Sequence, residues 1–193
     1  MTWSPEETEA LLKAVDRTSP LGKRDYAILL LAVRLGLRAG DIRGLQLEHL
    51  NWQEARIQIR QSKTEEALTL PLSDEVGRAL IDYLRYARPQ SASRRVFLCA
   101  HAPFSPFSDN NCLHNIITKY RRLAGIKVPR ECHHGIHSLR HGLATRLLQA
   151  QTPLPTISAI LGHRAPDSTR VYARVDLASL RTAALDIEEV LHA

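Results

Sequence analysis

Aromatic residues and cysteines are scarce in this chain of 193 residues. Phe, Trp and Tyr make up 5% of it, so aliphatic side chains must fill most of the interior. The three cysteines (Cys99, Cys112 and Cys132) show no paired spacing, which argues against a disulfide framework and favours free thiols in a reducing cytoplasm. No hydrophobic run approaches the length of a membrane span. These absences leave a globular domain of ordinary size with an aliphatic core.

Acidic residues are also scarce in one part of the chain. Residues 115–150 contain seven Lys or Arg, four His and one acid, whereas residues 176–193 contain four acids and one Arg. The formal net charge is +6 and the pI is about 9.5. A basic excess concentrated in one region suits a nucleic-acid or anionic-surface partner, although many basic domains bind neither.

The first half of the chain carries clear helix signals. Ser4-Pro5-Glu6-Glu7 predicts an N-cap, a proline at the first helical position and a capping box. Residues 23–35 are apolar on nearly every side, which predicts a buried helix that ends at Gly36. A short helix is expected at 40–45, and another from the Ser73 cap to about residue 87.

Alternating apolar and polar residues predict strands at 55–60 and 67–71, joined by a charged turn at 62–66. A short strand is also expected at 96–98, within a long surface loop. The second half is predicted to be helical, at residues 109–124, 138–150, 154–161 and 177–191.

Tyrosine is the best candidate for a nucleophile. The chain has no Gly-x-Ser-x-Gly motif, and none of its cysteines adjoins a clear base. Tyr26, Tyr83 and Tyr86 lie in apolar helical patterns and are predicted to be core residues. Tyr120 and Tyr172 lie among arginines, which would lower the pKa of a phenol from its ordinary value near 10. Tyr120 is predicted to pack in mid-helix, whereas Tyr172 stands in a short polar segment from which it can reach a substrate.

Arginine and lysine side chains provide candidate phosphate ligands. Arg38 follows the buried helix, and Arg140 lies three residues after His137 on the same helix face. A guanidinium stays charged and grips two phosphate oxygens with a planar fork. Lys63, at the tip of the predicted hairpin, can reach and protonate a leaving oxygen. The alternative is that each is an ordinary surface or salt-bridged residue.

Histidines raise the possibility of a metal site. His137 and His141 have the spacing of helical zinc ligands, and Cys132, His133 and His134 are close in sequence. The glutamate that a zinc protease needs is absent, and an arginine between the histidines would repel a cation. We therefore expect no bound metal.

These residues match a known family in order and in spacing. The matching elements are Leu35-Gly-Leu-Arg38, the hairpin Lys63, His137-Ser-Leu-Arg-His141, Leu161-Gly-His163 and, nine residues later, Tyr172. The chain resembles the tyrosine recombinases, also called phage integrases. The resemblance implies an α+β, mainly helical catalytic domain with a small antiparallel three-stranded sheet at one edge, the DNA breaking-rejoining enzyme fold.

The resemblance also implies a role for each site residue. Tyr172 would attack the scissile phosphate to form a 3′-phosphotyrosyl link, and Lys63 would protonate the leaving 5′-oxygen. His137 would accept a proton from the nucleophile or hydrogen-bond to it. Arg38 and Arg140 would bind the non-bridging oxygens. His163 would help to hold the phosphoryl group and the tyrosine. Neither a cofactor nor a divalent ion is implied.

Two features depart from the family pattern. The family often has Glu three residues after its first arginine, where this chain has Asp41, a shorter carboxylate that can still orient Arg38. The family also usually carries an N-terminal helical domain that clasps DNA from the opposite side. We expect residues 1–193 to be a catalytic domain without that core-binding domain, either cut from a longer chain or one of the small recombinases such as the fimbrial inversion enzymes.

The expected partners are double-stranded DNA and further copies of the chain. Alone, the domain should bind DNA weakly and with strong salt dependence. An apolar stripe on predicted helix 177–191 either packs on its own core or, as in related recombinases, docks on a neighbour in a tetramer. The predicted function is site-specific recombination for a phage or mobile element. The alternatives are type IB topoisomerase-like DNA relaxation and a non-catalytic DNA-binding protein of the same fold.

Overall fold

A computed structural model describes residues 3–108, 113–127 and 135–162. Seven α-helices occur in these ranges: α1 Pro5–Lys13, α2 Pro20–Arg34, α3 Ala39–Gly44, α4 Asp74–Tyr86, α5 His114–Leu123, α6 Ile136–Gln149 and α7 Leu154–Leu161. Three strands form an antiparallel sheet in the order β1-β2-β3: β1 Leu50–Asn51, β2 Arg56–Arg60 and β3 Ala67–Pro71. The predicted fold class, mainly helical with a small three-stranded antiparallel sheet, is confirmed.

Side-chain caps start the helices where the sequence predicts them. Ser4 Oγ accepts from the Glu7 amide at 3.1 Å, and Glu7 Oε2 accepts from the Ser4 amide at 3.0 Å, which completes the capping box of α1. Ser73 likewise caps α4 by accepting from the Val76 amide. A cap of this kind contributes about 1 kcal/mol to helix stability.

Helix α2 runs through the centre of the core. Each side chain from Ala27 to Val33 is at most 1% exposed, and α2 packs against α1, α3, α4 and α6. It begins at Pro20, three residues before the predicted start, because Ser19 caps it and proline suits the first turn. At its other end Gly36 adopts φ +62°, as expected of a glycine that ends a helix.

Strands β2 and β3 place one apolar face on the core. Ile57 pairs with Leu70 and Ile59 with Leu68, and all four side chains are buried while their neighbours alternate outward. The strands agree with the prediction to within one residue. The connecting turn is closed by backbone hydrogen bonds between residue 61 and residues 65 and 66.

Two predictions from the sequence are wrong. Residues 96–98 form no strand, and the only pairing in this stretch is an isolated bridge between Leu98 and Pro106. Their side chains are fully buried and Phe97 stacks on Tyr83, so packing rather than strand pairing explains the apolar run. Tyr86 is 65% exposed rather than in the core, because it ends α4 beside the cations of Lys23 and Arg85.

The second half agrees with the helical prediction where it is described. Helix α6 begins two residues earlier than expected and α7 matches its predicted bounds, while α5 occupies part of the predicted 109–124 segment. Predicted helix 177–191 lies outside the described residues. Among the helices of the described ranges, none is both long and apolar enough to cross a membrane.

The chain near its start packs against α6. Trp3 is 6% exposed, and its indole Nε1 donates to Ser138 Oγ at 2.8 Å. A Cβ at Gly142 would lie 3.3 Å from the Trp3 Cβ, so glycine allows this close approach. The segment before α1 is therefore anchored on the helix that carries His137 and Arg140.

Candidate active site

Arg38 is placed by the junction between α2 and α3. The left-handed turn at Gly36 redirects the chain, and Arg38 is the N-cap residue of α3. Its Nη2 donates to the Gly162 carbonyl at 3.3 Å, and its Nη1 lies 4.0 Å from Asp41 Oδ2. Nη1 is buried and has no hydrogen-bond partner among the described residues. A buried donor of this kind is suited to bind an anion that enters the site.

Arg140 projects from α6 into the interior. It is 4% exposed, and its Nη1 donates to the Gly36 carbonyl at 2.7 Å while its Nη2 donates to the Leu161 carbonyl. The guanidinium therefore joins the end of α2 to the end of α7. Backbone oxygens fix the plane of the guanidinium, since a fork of N–H donors can satisfy several acceptors in one orientation.

The Leu161–Gly162 turn brings the two arginines together. Gly162 ends α7 in the left-handed region, with φ +59°. The carbonyl of Leu161 accepts from Arg140 and the next carbonyl accepts from Arg38. Two cations that lie about a hundred positions apart in the sequence thus meet on adjacent backbone oxygens.

His137 stands on the exposed side of α6, and its Nε2 lies 3.0 Å from that of His141. The rings meet edge to face with centroids 4.5 Å apart. The pKa of His137 is lowered, first by partial burial and then by nearby positive charge. The groups that supply this charge are His141, Arg140, Arg38 and Lys63. A neutral imidazole among cations is suited to accept a proton.

Lys63 is exposed on the β2–β3 hairpin, as predicted. The residues on either side of it are held in place. The Ser62 amide and hydroxyl donate to Asp41 Oδ1 at 2.8 and 2.9 Å, and the Thr64 hydroxyl donates to Gln61 Oε1 at 2.9 Å. Asp41 thus binds the hairpin more closely than it binds Arg38. The lysine therefore lies between two neighbours whose side chains are hydrogen-bonded to the rest of the site.

Tyr120 has surroundings that disfavour it as a nucleophile. Its phenol is buried and donates to Asp25 Oδ2 at 3.0 Å. Burial raises its pKa, and the charge of Asp25 raises it further, so the phenolate is disfavoured. The other predicted site residues, His163 and Tyr172, lie outside the described residues.

Within the described ranges, no three His, Cys, Asp or Glu side chains are grouped closely enough to hold a metal ion. Cys132, His133 and His134 of the rival zinc interpretation lie outside those ranges. Cys99 is a free thiol.

Gln61 was not among the site residues predicted from the sequence. It lies directly after β2 and continues the alternation of the buried Ile57 and Ile59, and it is fully buried. A polar residue at a core position of an alternating strand was the available signal. Its amide contacts the Leu161 carbonyl and the hairpin, which adds it to the site.

Comparison with known sequences places the chain in a family. The model of the phage integrase family matches residues 2–178. The integrase/recombinase proteins y4rA and y4gC of Sinorhizobium fredii are 41% and 38% identical over 93% and 94% of the chain, which spans 43% of the first and 93% of the second. Tyrosine recombinase XerC 2 of Ralstonia nicotianae is 30% identical over 98% of the chain, which spans 56% of that protein.

Solved structures share the fold. The chain superposes on XerA recombinase with a TM-score of 0.71 at 22% identity, covering all of this chain and 65% of XerA. The TM-score is 0.69 against XerH site-specific recombinase bound to a palindromic difH substrate, again at 22% identity, over 95% of this chain and 52% of XerH. With a family model that matches nearly its whole length, this chain belongs to the phage integrase family.

Proposed function

We propose that residues 1–193 act as the catalytic domain of a site-specific DNA recombinase from a phage or mobile element. The observation that carries the proposal is the meeting of Arg38 and Arg140 at the Leu161–Gly162 turn, with Lys63 and His137 within electrostatic range. Such a set can bind one phosphodiester, protonate its leaving group and accept a proton. Family membership supports the same chemistry.

In the proposed reaction, the oxygen of Tyr172 attacks phosphorus and the bond from phosphorus to the 5′-oxygen breaks. The phenolic proton passes to a base, for which His137 is suited by its lowered pKa. The Lys63 ammonium gives a proton to the leaving 5′-oxygen. A 3′-phosphotyrosyl bond and a 5′-hydroxyl result, and a second 5′-hydroxyl reverses the steps to rejoin the strand.

The two arginines act on the charge of the transition state. Attack raises the charge on the non-bridging oxygens, which Arg38 and Arg140, with His163, would bind. Because the guanidiniums are already oriented by backbone carbonyls, they need no reorganisation as the charge develops. Removing one preorganised donor of this type costs about 10²–10³ in rate in other enzymes.

The proposed partners are duplex DNA and further copies of the chain. A net charge of +6 and the basic region 115–150 support contact with phosphates. The structural relative XerH is described as bound to its difH substrate. We propose assembly into a tetramer on DNA through residues 177–191. Sedimentation with and without a duplex carrying two sites tests this, and a stable tetramer without DNA would contradict it.

Covalent capture tests the function without a known target sequence. The probe is a pool of duplexes with a randomised segment, nicked a few nucleotides beyond it so that the short released strand diffuses away and traps the adduct. At high protein concentration and about 50 mM salt, where phosphate contacts are strong, we expect labelled DNA to migrate with the protein on a denaturing gel. Sequencing the attached strands then gives a working substrate.

Two other results would redirect the proposal. Specific binding without any adduct would favour a DNA-binding protein that has kept the fold. Adducts with no sequence preference, together with relaxation of supercoiled plasmid, would favour topoisomerase-like activity.

The lowered pKa of His137 predicts an acid limb in the rate. Protonation prevents the imidazole from accepting a proton, and its pKa lies below the ordinary 6.5. We expect the rate of adduct formation to hold from about pH 7.5 to 6.5 and then to fall by up to tenfold per pH unit below the pKa of His137. His137→Gln should be slower throughout and should lack this limb. A limb centred above pH 6.5, or one retained in the variant, would contradict the assignment.

A further inference from the structure

We propose that Gln61 is a positioning residue, which sets the general-acid Lys63 relative to the two phosphate-binding arginines. The inference rests on the proposed function and concerns how the hairpin is fixed within the same site. Gln61 is fully buried directly after β2, two residues before Lys63.

The side chain of Gln61 spans the gap between the hairpin and α7. Its Nε2 donates to the Leu161 carbonyl at 3.4 Å, a long hydrogen bond, and its Oε1 accepts from Thr64 Oγ1 at 2.9 Å. The Leu161 carbonyl also accepts from Arg140. One backbone oxygen therefore touches both the phosphate-binding group and the residue that holds the hairpin.

The close packing at Gly162 strengthens this link. A Cβ at this position would lie 2.6 Å from the Gln61 Cδ, so a larger residue would displace the amide from the turn. The Gly162 carbonyl binds Arg38. The amide of Gln61 is thus in contact with the same two residues that orient both guanidiniums.

Lys63 lies between two tethered neighbours. Ser62 is bound to Asp41, which lies 4.0 Å from Arg38, and Thr64 is bound to Gln61. The backbone of residue 61 also closes the turn through its amide to the Glu66 carbonyl at 2.9 Å. Loss of the Gln61 side-chain contacts would leave the Ser62 tether and the backbone bonds of the turn, but it would remove the side-chain tether at Thr64, on the other side of the lysine. A displacement of about 1 Å in a reacting group can cost about 10²-fold in rate.

A substrate with a sulfur leaving group distinguishes a misplaced Lys63 from a protein that is poorly folded. In a nicked duplex with the scissile 5′-oxygen replaced by sulfur, the thiolate leaves without protonation because thiols are far more acidic than alcohols. The substrate is the duplex selected by covalent capture. Gln61→Met keeps the buried volume and removes the side-chain hydrogen bonds to Leu161 and to Thr64. Thr64→Val removes only the hydrogen bond between Thr64 and Gln61. Thr69→Val, on the exposed face of β3, is the matched control.

On the oxygen substrate we expect Gln61→Met and Thr64→Val to slow adduct formation about tenfold or more, and Lys63→Ala to slow it by about 10²–10⁴. On the sulfur substrate all three should return to within about threefold of the unaltered protein. Thr69→Val should match the unaltered protein on both. Thermal unfolding confirms that each variant is folded.

The outcomes separate the two proposals. The positioning role would be overturned if the Gln61 and Thr64 variants lost the same rate on both substrates, or lost no rate on the oxygen substrate. The proposed function would be unaffected, because the unaltered protein would still form adducts. If the unaltered protein forms no adduct on either substrate, the proposed function falls and this inference falls with it.

Discussion

Replacing Tyr172 with phenylalanine is expected to abolish the covalent protein–DNA adduct. The substitution removes the oxygen that would bond to phosphorus, and attack by water would cut the strand without linking it to the protein. We expect adduct formation to fall by at least about 10³-fold, to below detection on a denaturing gel. Binding of the same duplex in a mobility shift assay should change little, because the phosphate contacts remain.

Tyr120→Phe is the matched control for this variant. It removes a phenol that donates to the buried Asp25, which still accepts from Arg24. The loss should lower the free energy of unfolding by about 1–3 kcal/mol and leave adduct formation within about threefold. The reverse pattern, an adduct that survives without the Tyr172 oxygen but is lost without that of Tyr120, would refute the choice of nucleophile.

Arg140→Lys is also expected to have a large effect, since lysine keeps the charge but not the planar fork. One ammonium cannot bridge the carbonyls of Gly36 and Leu161 as the guanidinium does. We expect adduct formation to fall by about 10²–10³, and the free energy of unfolding to fall by about 1–3 kcal/mol because a buried carbonyl loses its donor. Single-turnover adduct kinetics and urea denaturation measure the two effects.

Arg146→Lys is the control that separates the loss of rate from the loss of stability. Arg146 lies on the same helix and also binds backbone, through its Nη2 to the Val33 carbonyl at 3.2 Å and its Nη1 to Thr8 Oγ1 at 3.4 Å. Its replacement should lower stability to a similar degree while the rate stays within about threefold. If both variants lost rate in proportion to stability, Arg140 would be a structural residue and the phosphate assignment would fail.

Local signals in the sequence were enough for most of the fold. The caps at Ser4 and Ser73, the glycine at position 36 and the alternating strands each depend on a few neighbouring residues, and all are confirmed. Helix α2 was also predictable, because a helix that is apolar on every side has to be buried. Each of these features depends on interactions between residues that are close in the sequence.

Features that depend on distant partners were not predictable in the same way. Arg140 is oriented by a carbonyl 104 residues away, which no local pattern shows. The run at 96–98 has the composition of a strand, but no strand in the described part of the chain pairs with it. Tyr86 matched an apolar period but stands where its helix ends, beyond the core. The candidate site was approached through the resemblance to a family, and only coordinates connect Gln61 to it.

The packing of Trp3 against α6 has a practical consequence for tagging and fusion. Anything joined ahead of this indole begins next to Ser138 and Gly142, on the helix that presents His137 and Arg140. A short, rigid fusion that displaces the indole would remove its contacts with α6 and disturb that helix. Purification handles and reporter proteins should therefore be attached through a flexible spacer that leaves the tryptophan packed.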